Sequence, residues 1–197
     1  MLFALGEARL VPVLRLSSTE ATARAVGWLA EAGLSVFEIT LTVPGAVGLI
    51  EQLTKRGETL VGAGTVMNVA DAERCLDAGA RFLVSPCVVP ELPALCHMRG
   101  AACLLGALTP SEVKAALDAG ADAVKIFPAS TVGLSHFKAL RSVFPKIQMV
   151  PTGGIGAEDI ADWLAAGAAF VGVGGKLTAG ARDDMMAAAR DLLARLP

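Results

Sequence analysis

The stretch Ala119-Gly120-Ala121-Asp122-Ala123-Val124-Lys125-Ile126-Phe127-Pro128 decides the fold, because it holds a helix end and a buried strand side by side. Glycine readily adopts the left-handed conformation that closes a helix, so Gly120 fits a helix C-terminus. The apolar, β-rich run that follows has the length of a strand. Ala-Gly pairs recur at 32–33, 78–79 and 166–167, at spacings of 46, 41 and 47 residues by subtraction. This weak repeat predicts a chain of helix–strand units.

Apolar runs of strand length alternate with Ala/Leu-rich segments of helical period along the whole chain. Eight such pairs predict an α/β fold, a (β/α)8 TIM barrel with a single compact domain over residues 1–197. A final helix from about Ala181 to Leu196 closes the ring. The alternative is an open doubly wound sheet, which usually has about five or six strands. The strand candidates are Leu10–Leu16, Val36–Thr42, Leu60–Val66, Phe82–Pro86, Cys103–Ala107, Ala123–Pro128, Gln148–Gly153 and Phe170–Gly175.

The composition favours a globular protein that acts on a small molecule. Of its 197 residues 54% are hydrophobic, and the net charge is −2, without the charge blocks that bind nucleic acid or an anionic membrane. The four cysteines form no C-x-x-C pair, and His97 and His136 lack a partner carboxylate motif, so we expect no metal, cofactor or disulfide. Reduced thiols and the lack of an export signal predict a cytoplasmic protein.

Lys125 is unusual because it interrupts an apolar strand. Burying an ammonium is so costly that the group tends to lose its proton, and a neutral amine can attack a ketone. Because side chains alternate across a strand, Lys125 and Phe127 are predicted to face the barrel interior, opposite Glu38 on strand two. Arg15 ends strand one on the same face. Two alternatives stay open: a lysine that reaches solvent, and a buried structural ion network.

Glycine-rich segments follow strands seven and eight, Pro151-Thr152-Gly153-Gly154-Ile155 and Val171-Gly172-Val173-Gly174-Gly175-Lys176. Glycines let backbone N–H groups approach phosphate oxygens, and TIM barrels use these two loops for phosphate. Glycine also serves tight βα turns, so the adjacent pair indicates phosphate binding better than either segment alone. Lys176 is either a countercharge for that phosphate or an ordinary surface lysine.

Thr65 ends strand three with its hydroxyl predicted to face inward, where it can bind a carboxylate or keto oxygen. The glycines before it, Gly62 and Gly64, have a simpler interpretation as sites of close packing between strand and helix.

Five motifs then occur in order along the chain: Val11-Pro12-Val13-Leu14-Arg15, Phe37-Glu38-Ile39-Thr40-Leu41-Thr42-Val43-Pro44, Gly62-Ala63-Gly64-Thr65-Val66, Val124-Lys125-Ile126-Phe127-Pro128-Ala129 and Pro151-Thr152-Gly153-Gly154. With them the chain resembles the 2-keto-3-deoxy-6-phosphogluconate (KDPG) / 4-hydroxy-2-oxoglutarate (KHG) aldolases over nearly its whole length. The resemblance implies a homotrimeric class I aldolase of the Entner–Doudoroff pathway that works without a metal.

The resemblance also implies a role for each matching residue. It makes Lys125 the Schiff-base lysine and Glu38 the acid/base. The expected substrate-binding residues are Arg15, Thr65, Phe127 and Thr152, with Gly153, Gly154, Gly174 and Gly175 around the phosphate. Three positions depart from the family pattern. Leu105 replaces a proline that commonly precedes the glycine corresponding to Gly106, which changes the expected shape of the end of strand five. Many relatives have a phosphate-binding serine where Gly175 stands. Thr42 occupies a position that is arginine in some members and threonine in others, so carboxylate binding is expected to fall more heavily on Arg15.

The implied reaction cleaves KDPG to pyruvate and glyceraldehyde 3-phosphate, and KHG to pyruvate and glyoxylate. A 6-phosphogalactonate-specific aldolase, which differs in the C4 stereocentre of its substrate, is the first alternative. Two others rest on the fold alone: a phosphosugar isomerase or epimerase, and a non-catalytic barrel that binds phosphorylated metabolites.

Overall fold

The computed structural model describes residues 2–196, in which eight parallel strands alternate with helices. The strands are β1 Leu10–Leu14, β2 Val36–Thr40, β3 Leu60–Gly64, β4 Phe82–Val84, β5 Ala102–Ala107, β6 Ala123–Ile126, β7 Met149–Pro151 and β8 Val171–Val173. The helices are α1 Leu2–Ala8, α2 Thr19–Glu31, α3 Ala46–Arg56, α4 Val69–Asp77, α5 Leu92–Met98, α6 Pro110–Asp118, α7 Ala129–Val143, α8 Ile160–Ala165 and α9 Arg182–Ala194.

The strands form a closed ring. Each of β1 to β7 pairs with its neighbour in sequence, β1 also pairs with β8, and a parallel bridge between Thr152 and Gly172 joins β7 to β8. The predicted TIM barrel is therefore confirmed, and the open doubly wound sheet is excluded. No helix within residues 2–196 is both long and apolar enough to cross a membrane.

All eight predicted strands are present, but most end earlier than predicted. The run predicted as Leu10–Leu16 ends at Leu14, and the run predicted as Gln148–Gly153 is the strand Met149–Pro151. The pattern of apolar residues continues past the last backbone pairing, so this pattern does not mark where the chain turns into the loop. Helix α1 was not expected from the sequence, and its seven residues form a helix too short to be stable without packing.

The repeated Ala-Gly pairs do end helices, as predicted. Gly33, Gly79, Gly120 and Gly167 have φ values of 110°, 92°, 88° and 93°, and each follows the alanine that caps α2, α4, α6 or α8. A side chain at these positions would be strained in that left-handed conformation. The four glycines therefore set where four helices stop and the next strands begin.

The barrel interior is filled with apolar side chains toward the amino ends of the strands. We call this group the interior apolar cluster. Leu5 of α1 belongs to it and is 0% exposed, so α1 covers the amino end of the ring. Because this end is filled, the carboxyl ends of the strands are left for polar residues. The members are Leu5, Val11, Val36, Phe82, Val84, Ala102, Leu104, Ala123, Val150 and Phe170.

Candidate active site

Lys125 and Glu38 meet inside the barrel, above the interior apolar cluster. They extend from β6 and β2, and Lys125 Nζ lies 3.5 Å from Glu38 Oε1. Their side chains are only 6% and 5% exposed. Within residues 2–196, Glu38 Oε1 is the one buried side-chain oxygen or nitrogen without a hydrogen-bond partner. A carboxylate held dry beside an amine, with unused accepting capacity, is suited to moving a proton.

Two glycines on β3 make room for the neighbouring side chains. A Cβ on Gly64 would collide with the carboxylate of Glu38, and a Cβ on Gly62 would collide with the ring of Phe82. Both glycines therefore face the barrel interior, and the interpretation of close packing between strand and helix is wrong. The absence of a side chain at Gly64 is what allows Glu38 to stand where it does.

A cavity of about 260 Å³ opens beside Lys125 at the carboxyl ends of β1, β6, β7 and β8. Eight of the ten predicted site residues line this cavity. Glu38 and Thr65 do not line it: Glu38 lies behind Lys125, and Thr65 accepts a hydrogen bond from Arg15 Nη2 at 3.3 Å. The lining residues are Val13, Arg15, Lys125, Phe127, Thr152, Gly153, Gly154, Gly174, Gly175 and Thr178.

Thr65 has an unusual backbone conformation, with φ at 61°. A β-branched residue in the left-handed region is strained, and such strain persists where the surrounding structure holds the residue in place. Its hydroxyl receives the hydrogen bond from Arg15, so the strained threonine helps to fix the guanidinium at the edge of the cavity.

Phe127 and Gly153 pack against each other beside the lysine. Lys125 Nζ lies 5.4 Å from the centre of the Phe127 ring, a cation–π distance. A Cβ on Gly153 would lie 3.1 Å from that ring, and the φ values of Gly153 and Gly154 are 99° and 75°. Both positions therefore require glycine, and their backbone is left open to the cavity.

Thr152 is 5% exposed and also lines the cavity. Its side chain occupies the space that a Cβ on Gly172 would need. Gly172 of β8 therefore does for Thr152 what Gly64 does for Glu38: it leaves room for a polar side chain from the neighbouring strand end to turn inward.

A pair of threonines at the end of β2 fixes the direction of one hydroxyl. Thr40 Oγ1 donates to the carbonyl oxygen of Leu14 at 3.0 Å and lies 2.8 Å from Thr42 Oγ1. Because Thr40 has one hydroxyl hydrogen and donates it to Leu14, Thr42 is the donor of the second bond. Thr42 is thereby left with acceptor capacity toward solvent, so it is unsuited to binding a carboxylate.

Lys176 points away from the cavity and forms an ion pair with Glu158 on the surface. Its ammonium lies 2.9 Å from Glu158 Oε1, both side chains are more than half exposed, and Lys176 is not among the lining residues. The hydrogen bond with Lys176 holds the pKa of Glu158 below its usual value, and the same bond raises the pKa of Lys176. The interpretation as a surface lysine fits this geometry, and the countercharge does not.

Other polar groups lie at the opposite end of the barrel. His97 Nε2 lies 3.0 Å from Asp122 Oδ2, a pairing that the sequence did not indicate, and Asp122 also accepts the N–H of Cys103 at 2.7 Å. A larger cavity of about 410 Å³ between α3 and α4 has charged walls of both signs and lies on the outside of the barrel, near the start of β3 and β4. No group of three or more His, Cys, Asp or Glu suited to a metal occurs within residues 2–196.

Sequence reasoning missed Thr178, which lies in the loop after β8. Strand alternation assigns inward and outward positions only while the chain is extended, so it could not place a residue beyond Val173. The one available signal was that Thr178 lies three residues after Gly175, just beyond the glycine-rich segment.

Comparisons with known proteins agree with this geometry. Residues 3–189 match the family model described as KDPG and KHG aldolase. A probable 2-dehydro-3-deoxy-6-phosphogalactonate aldolase of Rhizobium meliloti (strain 1021) is 37% identical over 174 residues, covering 87% of this chain and 82% of its own.

Two solved structures share the fold and the sequence pattern. A 4-hydroxy-2-oxoglutarate/2-dehydro-3-deoxyphosphogluconate aldolase from TTHB1 is 36% identical with a TM-score of 0.88, covering 100% of this chain and 98% of its own. A KDPG aldolase of Legionella pneumophila, with pyruvate captured as a covalent carbinolamine intermediate, is 28% identical with a TM-score of 0.84 and covers 99% and 96% of the two chains.

Proposed function

This chain belongs to the KDPG and KHG aldolase family, and from that membership we propose that Lys125 forms the Schiff base of a class I aldolase acting on KDPG. The enzyme is a carbon–carbon lyase. Its products from KDPG are pyruvate and glyceraldehyde 3-phosphate, and from KHG they are pyruvate and glyoxylate. The single observation that carries the proposal is the buried pair of Lys125 and Glu38 beside a cavity that ends in two glycine loops.

The cycle uses the chain's own groups. The Lys125 amine attacks the C2 carbonyl of the 2-keto acid, and loss of water leaves an iminium that can accept an electron pair. Glu38, directly or through one water, takes the proton of the C4 hydroxyl while the C3–C4 bond breaks. The aldehyde leaves, and the bonding electrons form an enamine on the three-carbon fragment. Protonation at C3 and addition of water then release pyruvate and the free amine.

The remaining lining residues support binding. Arg15, held by Thr65, is the cation at the cavity edge and is assigned to the substrate carboxylate. Thr152 contributes a hydroxyl next to Lys125. Gly153, Gly154, Gly174 and Gly175 leave backbone open at the other side of the cavity, where a phosphate can approach it closely.

The test is to trap the intermediate. Wild-type protein and Lys125→Ala are treated with pyruvate and sodium borohydride, and the intact masses are measured. We expect one reduced pyruvate adduct, mapped to Lys125, in the wild type and none in the variant. Lys176→Met is the matched control, because its ammonium is paired with Glu158 outside the cavity, and it should form the adduct normally. An unmodified wild-type protein would rule out the Schiff-base mechanism.

A second candidate has one observation in its favour, the 37% identity to the probable 6-phosphogalactonate aldolase. The two substrates differ only in configuration at C4, so the lysine chemistry is the same. Measuring kcat/KM with both C4 epimers decides between them. Preference for KDPG supports the main proposal, and preference for the galactonate epimer replaces the substrate while leaving the mechanism in place.

We also propose that the protein is a cytoplasmic homotrimer. The cytoplasmic location is supported by the four cysteines, which are all free thiols, as expected in a reducing compartment: Cys75, Cys87, Cys96 and Cys103. The trimer follows from family membership alone. Light scattering coupled to size-exclusion chromatography should give three times the mass of 20.1 kDa.

A further inference from the structure

The cavity has two unlike ends. Its two lining residues with basic side chains, Lys125 and Arg15, belong to β6 and the end of β1. Other walls come from the loops after β7 and β8, where the lining residues are four glycines and two threonines, Thr152 beside Lys125 and Thr178 in the loop after β8. A substrate that is bonded through C2 to Lys125 extends its far end toward these loops. The group that holds that far end is therefore neutral.

The only cation in the loop after β8 is engaged elsewhere. Lys176 Nζ lies 2.9 Å from Glu158 Oε1, and the two groups lie over Gly156 rather than in the cavity. Gly175 has no side chain, and the space beside it is empty, since no atom lies within 4 Å of an added Cβ. Neither residue gives the loop a side-chain donor toward the cavity.

Thr178 does supply such a donor, and the turn around it fixes its direction. Leu177 N–H donates to the carbonyl oxygen of Gly174 at 2.9 Å, and Thr178 N–H donates to that of Gly175 at 3.2 Å. Leu177 is 0% exposed and anchors the turn in the core. Because adjacent side chains of the turn diverge, burying Leu177 leaves half-buried Thr178 facing the cavity, which it lines.

We propose that Thr178 is a specificity-determining residue of the aldolase, whose hydroxyl donates a hydrogen bond to the phosphate at the far end of the substrate. This inference rests on the proposed function. A phosphate oxygen is a strong acceptor, and a hydrogen bond to a charged group is stronger than one between neutral groups. Thr178 in this way replaces the hydroxyl that Gly175 cannot provide. KHG has no phosphate and is a shorter molecule, so its cleavage does not depend on Thr178.

The experiment compares two substrates in three variants. Thr178→Val keeps the shape and removes the hydroxyl, Thr178→Ser keeps the hydroxyl, and Lys176→Met is the matched control in the same loop. For each, kcat and KM are measured with KDPG and with KHG. We expect Thr178→Val to raise KM for KDPG by about tenfold to a hundredfold, with kcat and the KHG constants little changed. Thr178→Ser should restore most of the loss.

The results that would overturn the proposal are distinct from failure of the proposed function. An unchanged KM for KDPG in Thr178→Val, or an equal loss with both substrates, removes Thr178 from phosphate recognition. A large loss in Lys176→Met assigns the phosphate to the lysine instead. Failure of the proposed function gives a different pattern, since the wild type would then cleave neither substrate and form no pyruvate adduct.

Discussion

The two halves of the barrel interior are built on the same strands with the same alternation, yet they hold opposite kinds of side chain. Toward the amino ends, the interior apolar cluster fills the space around Phe82, which is 1% exposed. Toward the carboxyl ends, Glu38, Lys125 and Thr152 are buried at 4%, 5% and 5%. The filled half excludes water from below, so the polar groups of the other half stay dry and can act on each other strongly.

Strand β3 shows the comparison within one strand. Its two inward glycines are two residues apart, and Gly62 receives the ring of Phe82 while Gly64 receives the carboxylate of Glu38. One missing side chain serves stability and the other serves chemistry. The two halves therefore differ in the side chain that the neighbouring strand places in the space beside the glycine, an aromatic ring in one half and a carboxylate in the other. Each half can be tested by itself.

The largest effect should come from the polar half. Glu38→Gln removes the proton acceptor while keeping the shape of the side chain, and we expect kcat for KDPG to fall by about 10²–10⁴-fold. Release of pyruvate, followed with lactate dehydrogenase, measures it. Glu51→Gln, an exposed glutamate of α3, is the control and should keep normal turnover. Near-normal turnover in Glu38→Gln would remove Glu38 from the mechanism.

The apolar half should show the next largest effect, and in stability instead. Phe82→Ala leaves a cavity in the interior apolar cluster, so we expect the free energy of unfolding to fall by about 3–5 kcal/mol. Urea unfolding followed by circular dichroism measures it. The kcat of the protein that remains folded should be unchanged, because Phe82 lies below the site. A loss of kcat with intact stability would show that the two halves do not work separately.

The two glycines of β3, Gly62 and Gly64, allow the most direct comparison between the apolar and polar halves. Gly62→Ala and Gly64→Ala each overpack the interior and should each cost about 1–3 kcal/mol of unfolding free energy. Only Gly64→Ala displaces the carboxylate of Glu38, and a shift of that kind lowers kcat by up to about 10²-fold. Thermal unfolding and steady-state kinetics of the two variants separate the effects. Equal kcat values in both variants would contradict the assignment of Gly64 to the site.

The sequence predicts the strands, the helix ends and the polar pair inside the barrel well, because alternation and the Ala-Gly repeat are local signals. The eight strands, the four helix-ending glycines and the approach of Lys125 to Glu38 all follow from counting along strands. Contacts that depend on loops do not. The pairing of Lys176 with Glu158, the direction of Thr178 and the hydrogen bond between Arg15 and Thr65 arise from turns after the strands end. In these turns the chain has no regular alternation of side chains, so the sequence does not indicate which way a side chain points.

Substitutions of Thr65, which lies where β3 ends and its loop begins, should have a smaller effect than those of the glycine pair. Thr65→Gly relieves left-handed strain of about 1–2 kcal/mol, offset by about 0.5–1 kcal/mol of glycine entropy. We therefore expect the melting temperature to rise slightly. Arg15 loses its hydroxyl partner, so KM for KDPG should rise. Thr65→Ser keeps the hydroxyl and should keep KM near the wild-type value. A variant with lower stability would show that Thr65 is not strained.

Gly175→Ser should have the smallest effect, because it adds a group to the open end of the polar half and disturbs nothing. An added Cβ meets no atom within 4 Å, and the backbone there does not require glycine, so stability should be unchanged. A second hydroxyl near the phosphate should lower KM for KDPG by roughly two- to tenfold, with no change for KHG. In the Thr178→Val background the same serine should recover part of the lost affinity, because either hydroxyl can serve one phosphate oxygen. If Gly175→Ser raises KM in both backgrounds, the phosphate lies so close to the backbone of Gly175 that there is no space for a side chain. The neutral end of the cavity would then owe its affinity to backbone N–H groups, and Thr178 would not be needed.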